Sequence, residues 1–145
     1  MEFSQNIECG MCGLVNHEAT LIYHDDLIIC SLNYEPLKEP HLMVLPKRHV
    51  EGINELQSNE LRAMFDYIYK LEQMVRKDFK QEAFIGMNTG RLATQSHLHF
   101  HILPYSTGLR GLFSKAEGSP FRKRVSDKEL KPLRNKIRSI IDDAF

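Results

Sequence analysis

The chain has 145 residues, of which 42% are hydrophobic and 26% charged, and its 19 basic and 19 acidic side chains cancel to a formal net charge of zero. This composition is typical of a soluble globular protein, and the neutral total argues against a protein that coats nucleic acid. No apolar run is long enough to span a bilayer and no signal-peptide pattern is present, so we expect a cytoplasmic protein without a membrane partner. We expect residues 1–105 to be the main part of a single domain and residues 106–145 to be a basic loop and helix of that same domain.

Apolar and turn residues predict an α+β fold. Five short runs rich in β-forming residues predict strands, at 20–24, 27–34, 42–46, 83–88 and 97–104. The first two runs flank Asp25-Asp26, a turn pair, and therefore predict a hairpin. Apolar residues recur at helical spacing from Ser58, which suits an N-cap, to about Lys80. This order predicts an antiparallel sheet with a helix against one face.

The C-terminal part differs from the rest in charge. Residues 1–104 carry 9 basic and 14 acidic side chains, whereas residues 105–145 carry 10 basic and 5 acidic ones. We expect a loop over 106–125 and a helix over 127–143 capped by Ser126. The helix docks on an acidic surface, of its own chain or of a second copy, or the basic segment helps to attract polyphosphate or a nucleic-acid end.

Three histidines alternate with apolar residues in the run His97-Leu98-His99-Phe100-His101. In a strand, such a run places all three imidazoles on one face and the apolar side chains on the other. The face is either a solvated polar surface, a metal site or a nucleophilic site. A single ion is unsuited to all three imidazoles, because the first and third lie roughly 13 Å apart at strand rise.

The three cysteines predict two environments. Cys9 and Cys12 have the Cys-x-x-Cys spacing of half a tetrahedral zinc site or of a redox pair, and no thioredoxin-like context favours the latter. Cys30 lies in an apolar run and is expected to be buried as a small hydrophobe.

The ordered motifs resemble those of the histidine-triad (HIT) superfamily. The resemblance rests on the triad, on Cys9-Gly10-Met11-Cys12, on the segment from Leu32 to His49 and on Asn88-Thr89-Gly90. It implies a HIT-like five-stranded antiparallel sheet with one main helix and a C-terminal helix. Asn33 resembles the residue found in diadenosine-polyphosphate-cleaving members.

The resemblance implies roles for the triad and its neighbours. His99 is the expected nucleophile toward the α-phosphorus of a nucleotide, His101 contacts phosphate oxygens or the leaving group, and His41 orients the cluster. Asn33 is the expected ribose contact, and Leu32, with Ile7 or Leu14, is expected to pack against the base.

The phosphate contacts are where the chain departs from the family pattern. Asn88 resembles the phosphate-contacting residue, but the loop from Asn88 to His97 looks shorter than in the family by two residues. When the chain is aligned with the family pattern backwards from the triad, Thr94 occupies the family's Ser/Thr position. Gln95 stands two residues after the family's Gln position, and we expect its side chain still to face the site.

The resemblance also implies a structural zinc ion bound by Cys9, Cys12, His49 and His97, and a homodimer. The implied function is a nucleotidyl hydrolase or transferase acting on nucleoside phosphates or dinucleoside polyphosphates. A nucleotide-binding sensor or adaptor with little turnover is the alternative, and a protein whose triad binds a catalytic metal is a third.

Overall fold

The computed structural model describes residues 9–90, 93, 95–118 and 124–144, and the chain divides into two compact units, residues 1–108 and 109–145. The first unit contains a five-stranded sheet in the order β1-β2-β3-β5-β4, with every neighbouring pair antiparallel. The strands are β1 (Leu21–His24), β2 (Ile28–Leu32), β3 (Leu42–Pro46), β4 (Ala83–Gly86) and β5 (Phe100–Pro104). The predicted α+β architecture is confirmed.

The long helix α1 (Ser58–Asp78) covers one face of the sheet. Its buried apolar residues recur at helical spacing and are Met64, Ile68, Leu71 and Val75. The cap position falls at Gln57, one residue before the predicted Ser58, because the Gln57 N–H donates to Glu60 Oε2 at 2.8 Å.

The two faces of the sheet carry separate apolar clusters, as the period of two along a strand requires. Under α1 lie Ile28, Cys30, Leu42, Val44, Phe100 and Ile102. On the opposite face, Ile29, Met43 and Leu45 pack against Met11 and Leu14 of the N-terminal segment. Cys30 is fully buried, as expected, and burial raises its thiol pKa to about 12, which keeps it protonated.

Strand β5 is shorter than predicted at its start. The strand was expected over 97–104, but it begins at Phe100, and His97 lies in a bend. The Leu98 N–H donates to Val50 O at 2.8 Å, and this hydrogen bond holds the residues just before β5 against the segment that follows β3. The prediction that all three imidazoles line one strand face is therefore wrong for His97.

The second unit contains helices α2 (Leu109–Glu117) and α3 (Asp127–Ala144). The prediction of a loop over 106–125 is wrong for the residues of α2. The glycines in this stretch favoured a loop, although its apolar residues recur at helical spacing. Gly118, at φ 67°, takes the left-handed conformation that ends a helix. Ser126 caps α3 as predicted, since its Oγ accepts from the Glu129 N–H at 3.3 Å.

Candidate active site and metal centre

His99 and His101 lie on the sheet face that α1 leaves uncovered. His101 in β5 is directly opposite Met43 in β3, and Met43 belongs to the cluster packed against the N-terminal segment. His41 immediately precedes β3 and lies two residues before Met43, so the extended chain directs both side chains to the same side. Its buried ring forms a hydrogen bond between His41 Nε2 and His101 Nδ1 at 2.8 Å.

The hydrogen bonds determine which ring nitrogen of His41 and His101 carries the proton. The Leu37 N–H donates to His41 Nδ1 at 3.1 Å, so the proton of neutral His41 is on Nε2. That Nε2–H donates to His101 Nδ1, which leaves the proton of neutral His101 on Nε2. Burial is the main cause that lowers the pKa of both rings, for His101 to about 4, and the neighbouring imidazoles lower it further. Both rings are therefore neutral at pH 7.

His99 is oriented by the backbone. Its Nδ1 lies 2.8 Å from His97 O, and because a carbonyl oxygen can only accept, the proton of neutral His99 is on Nδ1. The unprotonated Nε2 is then the nitrogen with an available lone pair. The His99 ring is 6% exposed, and its centroid lies 4.7 Å from that of His101. The site thus combines one nucleophilic nitrogen with one N–H donor.

A cleft of about 440 Å³ opens beside these rings. It lies between the sheet face and the N-terminal segment, and its volume is within the usual range for small-molecule sites. Its lining residues are Gly10, Met11, Leu14, His17, Asn33, Tyr34, Glu35, Met43, Gln95, His99 and His101.

Asn33 enters the cleft from the end of β2. Its Oδ1 accepts the Glu35 N–H at 2.8 Å, and its Nδ2 lies 3.6 Å from the Met43 sulfur. A sulfur atom is a weak acceptor, so the amide group retains donor capacity for a ligand oxygen.

The structure brings together only part of the expected substrate set. Asn33, Gln95 and Leu14 line the cleft, whereas Leu32 lines a neighbouring cavity of about 540 Å³ together with Asn33 and His41. Asn88 is exposed and is not part of the described cleft lining. Ile7 and Thr94 lie outside the described residues.

Sequence reasoning missed several cleft residues. They are Gly10, Met11, His17, Tyr34, Glu35 and Met43. Met43 had a usable signal, since it stands two residues after His41 and so faces the same side of an extended chain. Tyr34 and Glu35 lie in the segment from Leu32 whose resemblance to the family was noted, but neither was assigned a role. The others reach the cleft through loops, whose course has no simple period.

Two cysteines and a further histidine lie close to His97, the first histidine of the triad. The ligand atoms offered by Cys9, Cys12, His49 and His97 all lie within 4.8 Å of one another. Cys9 Sγ and Cys12 Sγ lie 3.6 and 3.5 Å from His97 Nδ1, and Cys12 Sγ lies 3.4 Å from His49 Nδ1. Tetrahedral bonds of about 2.3 Å to sulfur and about 2.0 Å to nitrogen place such ligands about 3.5 Å apart. The four residues therefore fit a tetrahedral metal ion.

An outer hydrogen bond orients His97 as a ligand. His97 Nε2–H donates to Pro46 O at 2.8 Å, so its Nδ1 lone pair faces the sulfur atoms. Burial lowers the His97 pKa to about 4, which favours the neutral, metal-binding form. His49 Nε2 lies 3.6 Å from a carboxylate oxygen of Glu51. Four protein side chains would complete a tetrahedral coordination shell, an arrangement that is typical of structural sites.

Across the residues that the structure describes, no helix is both long and apolar enough to cross a membrane.

Comparisons with known proteins agree with this geometry. The HIT domain model matches residues 15–108. An uncharacterised HIT-like protein of Methanocaldococcus jannaschii is 32% identical over 104 residues, 69% of this chain and 81% of its own length. The asymmetrical bis(5'-nucleosyl)-tetraphosphatase of Schizosaccharomyces pombe is 32% identical over 87 residues, 58% of this chain and 48% of that protein. The crystal structure of a HIT family member from Bacillus subtilis superposes with a TM-score of 0.72 at 21% identity, covering 95% of this chain and 97% of that one. The chain belongs to the HIT family.

Proposed function

We propose that the protein is a nucleotidyl hydrolase or transferase that forms a covalent intermediate on His99. The observation that carries the proposal is the hydrogen bond from His99 Nδ1 to His97 O, which leaves the Nε2 lone pair available beside the cleft. A neutral imidazole with a fixed tautomer is a competent nucleophile toward phosphorus. The name of the Schizosaccharomyces pombe relative supports dinucleoside polyphosphates as substrates, with nucleoside phosphates as the broader class.

The proposed reaction has two displacements at the α-phosphorus. The His99 Nε2 lone pair forms a P–N bond while the bond to the leaving group breaks with its electron pair. Water then attacks the same phosphorus and loses a proton to solvent, or another acceptor attacks in its place. The P–N bond breaks, and its electron pair returns to Nε2.

His101 is the proposed donor to the reacting groups. Its Nε2–H can hydrogen-bond a phosphate oxygen or the leaving oxygen, where negative charge increases in the transition state. His41 holds this tautomer through its hydrogen bond to His101 Nδ1. We assign Asn33 to the ribose. Base packing is assigned to Leu14, which lines the cleft, because Leu32 packs against the cluster under α1. Gln95 is assigned to the phosphates.

Asn88 and Thr94 stay proposed phosphate contacts from the family resemblance. Asn88 is exposed and is not part of the described cleft lining, so this role rests on the resemblance alone.

Replacing the nucleophile tests the proposal. We expect His99→Asn to abolish turnover of diadenosine and diguanosine tetraphosphate while mononucleotide affinity stays within about tenfold, because only the attacking nitrogen is lost. The matched control is His24→Asn, which changes an exposed histidine in β1. Intact-mass analysis of the wild type at mildly alkaline pH should show a nucleotidyl adduct. Near-normal turnover by His99→Asn would contradict the assignment. A wild-type protein that binds nucleotides but does not turn them over would favour the alternative of a nucleotide-binding sensor or adaptor.

We further propose that the metal is Zn²⁺. Two thiolates and two imidazoles in a closed tetrahedral set are the ligands that zinc prefers. A bound ion would fix the N-terminal segment, which forms one wall of the cleft, to the start of the triad. Elemental analysis of protein purified without added metal should find one zinc per chain.

We also propose a homodimer. Leu61, Phe65 and Tyr69 lie four residues apart along α1 and are 38%, 49% and 67% exposed. Strand β4 is at an edge of the described sheet and carries Ile85, which is 40% exposed. Exposed apolar stripes and sheet edges are typical of interfaces between chains. Light scattering at micromolar concentration should give the mass of two chains, and Phe65→Glu should give that of one.

A further inference from the structure

We propose that the cleft binds guanine, and that the carboxylate of Glu35 selects this base over adenine. The inference rests on the proposed function, because an α-phosphate placed at His99 determines where the base can lie. Strands β2 and β5 are on opposite sides of β3, two strand spacings or about 10 Å apart. Residues that follow β2 therefore face the histidines across a distance suited to the length of a nucleotide.

The region across from the histidines has the features of a base site. Met11 and Leu14 are buried apolar residues of the cleft lining, and Tyr34 adds an aromatic ring. Apolar and aromatic side chains suit the flat faces of a base. The Tyr34 hydroxyl lies 3.1 Å from His17 Nδ1, so the connection after β2 and the N-terminal segment meet here.

Glu35 is the charged residue of the cleft lining, and its backbone is held in place. Its N–H donates to Asn33 Oδ1 at 2.8 Å, which couples its position to the proposed ribose contact. Within the described part of the chain, no hydrogen bond or ion pair engages its carboxylate. Both carboxylate oxygens are thus available to a ligand.

Hydrogen-bond patterns of the bases make guanine the complement of a carboxylate. Guanine presents two adjacent donors, N1–H and the N2 amino group, which match two adjacent carboxylate oxygens. Adenine and cytosine each place a ring acceptor beside their amino donor, and uracil places its single N–H between two carbonyl oxygens. These three bases would each direct a lone pair at the charged carboxylate.

The test is calorimetric titration of the purified full-length protein with GMP, IMP and AMP, which are not turned over. We expect GMP to bind about tenfold more tightly than AMP, since a bidentate contact to a base discriminates by about that factor or more. IMP keeps N1–H but lacks the amino group, so its affinity should be intermediate. Glu35→Gln should reverse the preference, because a carboxamide accepts from adenine N6 and donates to N1.

The matched control is Glu39→Gln, the same change in an exposed residue that lines the neighbouring cavity. It should leave the ratio of GMP to AMP affinity unchanged. Equal affinities of the wild type for GMP and AMP would overturn the inference. So would an equal loss of both nucleotides in Glu35→Gln, which would place the carboxylate at the ribose.

The outcome is separable from that of the proposed function. A normal guanine preference without turnover and without a His99 adduct would overturn only the catalytic proposal. Failure of all three nucleotides to bind would overturn both.

Discussion

The backbone carbonyl of His97 accepts a hydrogen bond from His99 Nδ1 at 2.8 Å, while the His97 side chain faces two cysteine sulfurs. One residue therefore belongs to both candidate sites, its imidazole to the group of Cys9, Cys12, His49 and His97 and its backbone carbonyl to the proposed nucleophile. We therefore expect a change among the four candidate metal ligands that moves His97 to alter the orientation of the His99 ring as well, because the hydrogen bond to His97 O holds that ring.

Removal of a cysteine ligand should therefore affect both stability and turnover. We expect Cys9→Ala to lose the metal, to lower the melting temperature by about 5 °C or more, and to reduce turnover, because His97 is no longer held. The control is Cys30→Ala, which alters a buried thiol under α1 and should keep one ion per chain by elemental analysis. Metal-free protein of unchanged melting temperature would exclude the structural role.

The ring protons should follow the hydrogen bonds. We expect long-range ¹H–¹⁵N spectra at pH 7 to show His99 with its proton on Nδ1 and His41, His97 and His101 with theirs on Nε2, because each partner atom permits only that tautomer. The exposed His24 provides a reference for a ring without such restraint. A proton on Nε2 of His99 would remove the lone pair from the cleft and contradict the proposed mechanism.

Stability should fall in mild acid because of His101. Its pKa is near 4 in the folded protein and near 6.5 in the unfolded chain, chiefly because it is buried. Between these values the unfolded chain binds a proton that the folded chain does not, so the free energy of unfolding decreases as pH falls from 6.5 to 4. Denaturant titrations of His101→Asn should show a smaller decrease, and those of His24→Asn the full wild-type decrease. If the free energy of unfolding of His101→Asn fell with pH as steeply as that of the wild type, His101 would not contribute to the acid sensitivity.

An ion pair between the half-buried Arg48 and the buried Glu60 should stabilise the start of α1. Arg48 Nε and Nη2 each lie 2.9 Å from an oxygen of Glu60, which is 4% exposed, and Nη2 also donates to Glu55 O at 2.7 Å. We expect Glu60→Gln to lower the free energy of unfolding by about 1–3 kcal/mol, because the charge-assisted hydrogen bonds from Arg48 to a buried carboxylate are lost. The hydrogen bond from Arg48 lowers the pKa of Glu60. The stabilisation is therefore present above the unfolded pKa and is lost as pH falls through the folded pKa.

The control for this pair is Glu72→Gln, which removes the partner of the exposed Arg76. Its effect should stay within about 0.5 kcal/mol. If Glu60→Gln and Glu72→Gln lowered the free energy of unfolding equally, the burial of Glu60 would add nothing to the stabilisation by its ion pair.

The sequence predicted most of the fold because its signals are local and periodic. The alternation through Phe100 and Ile102 predicted β5, and the spacing from Met64 to Val75 predicted the buried side of α1. The four metal-binding candidates were also found in advance, since the family resemblance carries their spacing. The structure brings their ligand atoms together.

Features that depend on long-range packing could not be predicted in this way. His97 leaves the strand pattern because its ring is directed to cysteines that are more than 80 residues away in sequence. Tyr34 and Glu35 reach the cleft only because the N-terminal segment packs on the face that contains Met43. Helix α2 was missed because Gly108 and Gly111 are typical of loops.

The alternation of side chains from Leu98 into β5 also limits which insertions the chain can tolerate. A codon inserted between Leu98 and Ile102 would exchange the inward and outward side chains of the residues on one side of it. Imidazoles would then enter the apolar cluster under α1, and Phe100 or Ile102 would face the cleft. An insertion of two codons preserves the alternation, and so does a change of length in the loop before His97. We therefore expect length variation among related chains to accumulate in that loop, and frame-preserving single-residue insertions within β5 to be eliminated by selection.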